Sequence, residues 1–214
     1  MTPWTRCFAG WRRWVAEVVA ETERLRLRTW DEADERDFYD IMNKPAVMRW
    51  LGGLQSLDEW GAAFQRLRGY ERDYGFTFWI VERRDDGEIL GFCGLKRLNA
   101  PGAEHIAGEV EIGWRLREDA WGQGYAKEAA IASLDLAFGR FEAQRVVAIT
   151  ALGNLPSQGL MKRLGMAWRE DWDFVDQRFP EDSEINPQVV FAIDAADWPA
   201  AKAAATGPGA AGSP

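Results

Sequence analysis

From residue 24 the chain alternates: Leu25, Leu27 and Thr29 fall on one face and Arg24, Arg26 and Arg28 on the other, the period-two pattern of a strand buried on one side. Helical spacing takes over at 34–43 and 57–73, interrupted by Pro45 and the Gly52-Gly53 pair. An apolar, aromatic run over 76–81 predicts a second strand. Asp85-Asp86-Gly87 then supplies a turn that tolerates positive φ, and 89–98 the returning strand. Another strand is expected near 107–116, after the Pro101-Gly102 loop. Ala129, Ala130, Leu134, Ala137 and Phe138 line one side of a helix over 126–141, and a short β-branched strand follows at 145–151. A further helix from 156 to 164 stops at Gly165, which can adopt the left-handed cap, with strands near 166–175 and 188–193.

The two ends differ from this body. Trp4, Phe8, Trp11, Trp14, Val15 and Val18 recur at helical spacing, which predicts an amphipathic helix over the first 20 residues. Such an aromatic stripe is expected to be covered, and the nearest surface is the rest of the chain. Beyond Trp198 the Ala/Gly/Pro-rich end offers little to pack and is expected to be disordered.

A chain of 214 residues suits one domain, and 47% apolar residues with 12 tryptophans predict a packed core. The net charge of −8 argues against nucleic-acid binding, which needs a surplus of Lys and Arg, and favours a cationic small molecule or basic peptide as partner. Cys7 and Cys93 are far apart and His105 is the single histidine, so neither a disulfide framework nor a Cys/His metal site is expected. No apolar run reaches the ~18 residues of a membrane span, and the opening stretch does not read as a signal peptide. These features fit a cytoplasmic setting, for a monomer or homodimer.

The most informative segment is 111–126, a strand leading through a loop into Trp121-Gly122-Gln123-Gly124-Tyr125-Ala126 and a long helix. Small residues at a helix mouth let backbone N–H groups approach an anion, and the helix dipole favours negative charge there. A Walker A loop would need Gly-Lys-Ser/Thr, which is absent. A dinucleotide fingerprint would need a third small residue where Lys127 stands.

The segment resembles the acetyl-CoA motif of the GNAT superfamily of N-acetyltransferases, Q/R-x-x-G-x-G/A, with Gly124 and Ala126 in the last two fixed places and Trp121 in the Gln/Arg place. Trp-Gly-x-Gly-Tyr-Ala is similar to the form found in the ribosomal-protein N-terminal (RimJ/RimL-type) branch. Asn154-Leu155-Pro156-Ser157 with Leu164-Gly165-Met166 resembles the family's second motif. Glu111-Ile112-Gly113-Trp114 resembles the strand that pairs with the pantetheine arm, Leu90-Gly91-Phe92-Cys93-Gly94 the strand before it, and 22–28 the opening strand. The resemblance implies an α/β (α+β) fold: one mixed, mostly antiparallel twisted sheet of six to seven strands flanked by about four helices. The catalytic domain is then expected over 22–198, with a helical extension over 1–21 and a tail over 199–214.

It also implies a direct transfer from acetyl-CoA to a primary amine, either a protein N-terminal α-amine or a small molecule, without a metal. Acetyl transfer needs a neutral amine, a polarised thioester carbonyl and a proton for the thiolate. Alternation puts Glu111 opposite Val110, Ile112 and Trp114, and the resemblance sets that strand beside the thioester, so Glu111 is the expected base, with Glu109 as substitute. Backbone groups around Trp114–Leu116 would polarise the carbonyl, and Trp121, Gly122, Gln123, Gly124, Tyr125 and Ala126 would hold the pyrophosphate. Asn154 would hold the pantetheine amide and Ser157 sit near sulfur, although both also suit helix capping before Pro156. Met161 stands where many members carry a general-acid Tyr. Lys162 and Arg163 are candidates for the cofactor's phosphate, and Trp30, Trp50 and Trp79 for the acceptor cleft. The alternative is a non-catalytic acyl-CoA-binding module, which would keep the cradle without a working base.

Overall fold

The computed structural model describes residues 16–207. One sheet runs in the order β1 (Val18–Glu21), β2 (Leu25–Arg28), β3 (Phe78–Arg83), β4 (Ile89–Arg97), β5 (Val110–Leu116), β6 (Arg145–Ala151), β8 (Gln188–Asp194) and β7 (Ala167–Trp168). Every neighbouring pair is antiparallel except β5 and β6. Six α-helices lie among the described residues: α1 (Asp34–Met42), α2 (Pro45–Met48), α3 (Leu57–Tyr74), α4 (Tyr125–Asp135), α5 (Leu155–Arg163) and α6 (Trp198–Thr206). The α/β sheet is therefore the expected one, with eight strands rather than six or seven.

Local chemistry explains where elements start and stop. Ser56 and Glu59 form a reciprocal capping box at the start of α3, satisfying backbone donors that the first turn leaves open. Pro45 opens α2 and Pro156 sits in the first turn of α5, where a missing N–H costs nothing.

Three expectations are corrected. The helix expected over 1–20 falls mostly outside the described residues, and where description begins Val18–Glu21 is an edge strand paired with β2. Two valines in succession suit an extended chain as well as the end of a helical stripe. The strand expected over 166–175 shrinks to the two residues of β7 and an isolated bridge at Phe174. Residues 199–206, expected to be disordered, continue α6: alanine is the strongest helix former, and this helix has a surface to bind. Trp198 is buried and donates its indole N–H to Asp135 Oδ1 at 2.9 Å, and Lys202 Nζ reaches Oδ2 at 2.7 Å. Ala201 packs so closely on Gly165 that a Cβ there would lie 2.5 Å from its methyl group.

The sheet has two unlike faces. On one, α4, α5 and Trp198 pack a continuous core with Leu25, Leu27, Trp79, Cys93, Leu95, Val110, Ile112 and Leu116. Cys93 belongs to it, and burial pushes its thiol up to about 12, which removes it as a nucleophile at neutral pH. The opposite face carries two separate clusters. Helices α1 to α3 bring Phe38, Met42, Met48, Trp60 and Phe64 onto Ile80 and Phe92. Leu98, Ala100 and Ile106 pack with Phe174 on Val147, Val190 and Ala192 at the other end. Between the two clusters the sheet is open around β5. No helix among the described residues is long and apolar enough to cross a membrane.

Trp198→Ala removes both packing and the Asp135 bond, and should cost about 3–5 kcal/mol, a fall of roughly 10 °C in melting temperature. Trp198→Phe should cost about 1 kcal/mol more mildly, by loss of the hydrogen bond. Equal melting temperatures for both variants and the parent would show that α6 is not anchored as described.

Candidate active site

The site begins where two strands part. β5 and β6 are in register only at Val110 with Val146 and Glu111 with Val147. From Ile112 to Leu116 the edge of β5 that would face β6 has no strand beside it, while β4 stays paired along its other edge. Buried backbone groups need partners, so an open strand edge inside a cleft is a place for an extended polar ligand. A cleft of about 2380 Å³ follows this gap.

At the exit of β5 the chain makes a short turn over Glu118–Ala120 and enters α4 through Gly122 and Gly124, whose φ values are 73° and 81°. A side chain at such φ is strained by about 1–2 kcal/mol, which is why glycine fits. Gly124 caps α4 without any side-chain hydrogen bond, leaving first-turn N–H groups for a ligand. An ideal Cβ on Gly122 meets nothing within 4 Å, so the space above the loop is open.

The loop's long side chains hold it in shape. Trp121 donates its indole N–H to Leu116 O at 2.8 Å, and Gln123 Nε2 donates to Asp119 O at 2.7 Å. Arg24, from the start of β2, braces it from below: Nη1 donates to Gln123 O at 2.9 Å, and the guanidinium lies 4.5 Å over the Tyr125 ring. Its remaining nitrogens pair with Glu128 at 2.6 and 2.7 Å. Burial pushes the Glu128 carboxyl up, but bonds from Thr22 and from the Arg24 backbone and side chain outweigh it and hold the group below its ordinary value. Sequence alternation placed Arg24 on the outer face of its strand; nothing local ties it to a loop a hundred positions later.

Across the gap, Asn154 donates to Thr150 Oγ1 at 2.9 Å and accepts the Ser157 N–H at 3.4 Å, so it does cap α5. It also lines the cleft, as do Ser157 and Met161. Capping and lining coexist. Trp114, Leu116 and 121–126 line the same cleft, and so does Glu111. Glu109 does not line it, and Trp79 is packed in the core on the opposite face. Trp30 and Trp50 do line it; Arg163 lines it, and Lys162 does not.

Glu111 is buried rather than solvated, 6% exposed, with Oε2 2.5 Å from Lys96 Nζ on the facing residue of β4. The ring of Phe78 covers Gly113, where a Cβ would sit 2.8 Å from it. Asp176, also buried, grips Arg178 through Nε and Nη2 and the Arg178 backbone N–H, and both residues border the cleft.

Arg115 continues the Glu111 and Gly113 face. Its Nη1 approaches Met48 Sδ at 3.4 Å, and its guanidinium lies 5.0 Å from the Phe92 ring centroid and 5.9 Å from that of Trp60. Nε is sealed from solvent and has no hydrogen-bond partner. Burial alone pushes this group down to about 10. The same alternation that marks Glu111 marks Arg115 on its face, but a strand arginine usually reaches solvent, so nothing in the pattern singles it out.

A family profile for an acetyltransferase (GNAT) domain matches residues 24–167. The Bacillus subtilis protein YkkB, of uncharacterised function, is 34% identical over 155 residues, 71% of this chain and 86% of its own length. The uncharacterised B. subtilis N-acetyltransferase YnaD is 28% identical over 177 residues, 83% of this chain and 97% of its own. Among solved structures, an acetyltransferase from Agrobacterium tumefaciens strain C58 matches with a TM-score of 0.65 at 26% identity, covering 81% of this chain and 92% of that one. A Vibrio cholerae structure described as a candidate ribosomal-protein-serine acetyltransferase matches at 0.62 and 21%, covering 81% and 95%, and shows the shared fold.

The loop geometry gives a direct test. Gly124→Asp strains a left-handed position and sets a carboxylate against Arg24 Nη2, which a Cβ there meets at 3.4 Å, so it draws the guanidinium off Gln123 O and adds negative charge beside a bound phosphate, and CoA affinity should fall on the order of 100-fold or more. Gly124→Asn carries similar backbone strain without the charge and should retain much more of the affinity. Equal calorimetric affinities for the parent and the Asp variant would place the phosphates elsewhere.

Proposed function

The chain belongs to the GNAT acetyltransferase family, and from that premise we propose that it is an acetyl-CoA-dependent N-acetyltransferase acting on a primary amine by direct transfer, in a cytoplasmic setting. The observation that carries the proposal is the coincidence, in one cleft, of an open β5 edge, an uncapped α4 mouth behind two left-handed glycines, and a buried carboxylate at Glu111.

In this reading acetyl-CoA supplies the acetyl group as an activated thioester. The amides of 122–126 and the α4 dipole bind its pyrophosphate, and Trp121, Gln123 and Arg24 keep that loop in shape. The free edge of β5 around Trp114 and Leu116 pairs with the pantetheine arm and turns backbone N–H groups toward the thioester oxygen, where negative charge develops. Asn154 bonds the pantetheine amide. Glu111, paired with Lys96, accepts the amine's proton directly or through one water. The amine nitrogen then bonds the acetyl carbon as the carbon–sulfur bond breaks, and the departing sulfur takes a proton. Ser157, which lines the cleft from α5, serves as proton donor or hydrogen-bond partner to that sulfur. Met161 leaves no phenol at the position where the family resemblance would put one.

Amine basicity sets the load on Glu111. With reference values of ~10.4 for a lysine-like amine and ~7.8 for an α-amine, neutralisation at pH 7 costs about 4.6 against 1.1 kcal/mol. An α-amine asks less of a site without the tyrosine acid, which agrees with a Rim-type relationship. A non-catalytic module is disfavoured by family membership and by the buried, paired Glu111.

Free-thiol release from acetyl-CoA across a panel of amines and N-terminal peptides tests the activity. Glu111→Gln should lower turnover by about two to four orders of magnitude, with a deficit that shrinks as pH rises and free amine accumulates. Because Lys96 loses its counter-charge, the melting temperature should fall as well, while acetyl-CoA affinity in the folded variant stays near that of the parent. Parent-like turnover at pH 7 would remove Glu111 from the proton transfer.

A further inference from the structure

Along the open face of β5, Glu111, Gly113 and Arg115 stand in alternate positions. The absence of a side chain at Gly113 admits the Phe78 ring, which stacks on Phe92 with centroids 4.8 Å apart and planes 4° from parallel. The cleft therefore runs from a neutralised ion pair, Glu111 with Lys96, over an aromatic floor to a guanidinium. At the far end Arg115 meets rings and a thioether, with no carboxylate within 4.0 Å among the described residues.

A cation buried without a counter-charge is unfavourable unless something compensates it. Most other charged groups bordering this region are compensated: Lys96 by Glu111, Arg178 by Asp176, Arg24 by Glu128. Ring faces at 5.0 and 5.9 Å offset part of the cost for Arg115, but its Nε donor remains unanswered. Even pushed down by burial the group stays protonated at neutral pH. A planar fork of donors, desolvated and facing an aromatic slot, matches a carboxylate.

We propose that the acceptor amine carries a carboxylate on an apolar or aromatic body, and that Arg115 binds this carboxylate while the amine is presented toward Glu111. The inference rests on the acetyl-transfer reading and names its substrate class: amino-acid-like acceptors in preference to polyamines, whose second cation Arg115 would repel. Arg115 is thus a specificity residue that touches the acceptor and takes no part in moving the proton.

Two matched comparisons test it. In thiol release, 4-(aminomethyl)benzoate, whose amine and carboxylate stand at opposite ends of a ring, is set against 4-methylbenzylamine, so that size and amine basicity change little. The carboxylate-bearing member should be favoured in kcat/KM by about 10- to 100-fold, mainly through KM, the range of one charge-assisted hydrogen-bond pair. Arg115→Met should abolish the preference, lowering kcat/KM for the carboxylate-bearing amine about 10- to 100-fold more than for its neutral partner, in a variant whose cooperative melting shows that it is folded. A second readout needs no chemistry: quenching of cleft tryptophan fluorescence by 4-methylbenzoate against 4-methylbenzyl alcohol. The anion should bind at least about 10-fold more tightly to the parent and no better than the alcohol to Arg115→Met. Undetectable binding of the anion, or affinity no greater than the alcohol's in the parent, overturns the proposal. No thiol release with any amine, alongside preserved anion preference in binding, would instead overturn the transfer reading and leave the Arg115 site standing.

Discussion

The parting of β5 from β6 is the constraint on which the rest of the molecule depends. Two parallel strands that share register only at Val110–Val146 and Glu111–Val147 leave a wedge of unpaired strand edge in the middle of the sheet. In a folded interior such an edge is unfavourable, because each buried backbone donor or acceptor without a partner forfeits the free energy of its bond to water. The fold tolerates it by placing an open cleft there and by making both flanking strands secure on their other sides, β5 against β4 over its whole length and β6 against β8 over all seven residues. Helices α4 and α5 then start on opposite rims of the wedge, and their first turns face into it. A ligand with an anionic head and an extended polar arm answers the open groups of both rims together.

The geometry of the wedge is maintained by contacts that span the chain. Glu128, in the first turn of α4, would by its own charge compete with a phosphate for the helix N-terminus. Thr22, the Arg24 backbone and the Arg24 guanidinium occupy that carboxylate instead, and the same guanidinium reaches the carbonyl of Gln123. An acidic residue at the helix mouth is converted into an anchor for the cradle. The turn leading into β2 thus positions the loop over 121–126 although it is distant from it in the chain.

Legibility in the sequence divides along the same line. Features decided by neighbours within a few positions were readable: the alternation of β2 and β5, the glycine turn into α4, the Asn154 cap of α5, and Glu111 on the face opposite Val110 and Ile112. Features decided at a distance were not. Residues 199–206 look featureless until Gly165 and Asp135 give Trp198, Ala201 and Lys202 something to bind. Val18 and Val19 fit a helical stripe or a strand until β2 offers an edge. Trp79 and Trp30 are equally aromatic in the sequence, yet the pleat of β3 sends Trp79 into the α4-side core, while Trp30, beyond the end of β2, is buried with Phe38 and Phe64 on the other face at the edge of the cleft, its indole N–H on Phe78 O at 2.6 Å. The pairing of Asp176 with Arg178 is local, but that it borders the site follows only from the path of the segment before β8.

Charge shows why a global quantity misleads about a local one. A net charge of −8 suggests cationic partners, and at long range it does bias encounter that way. Fields from surface carboxylates are screened within about 8–10 Å at ordinary ionic strength, whereas a group inside a cleft sees its immediate neighbours through a poorer dielectric. Around the acceptor end those neighbours form matched pairs, Glu111 with Lys96 and Asp176 with Arg178, which contribute little net field at a distance. The half-buried guanidinium of Arg115 has no such carboxylate, so in the proposed reading the recognition surface is cationic inside an anionic molecule. In the proposed reading such an arrangement separates two tasks: the anionic exterior biases encounter at long range, and Arg115 selects the acceptor that, once inside, gains more from staying than it loses in leaving water.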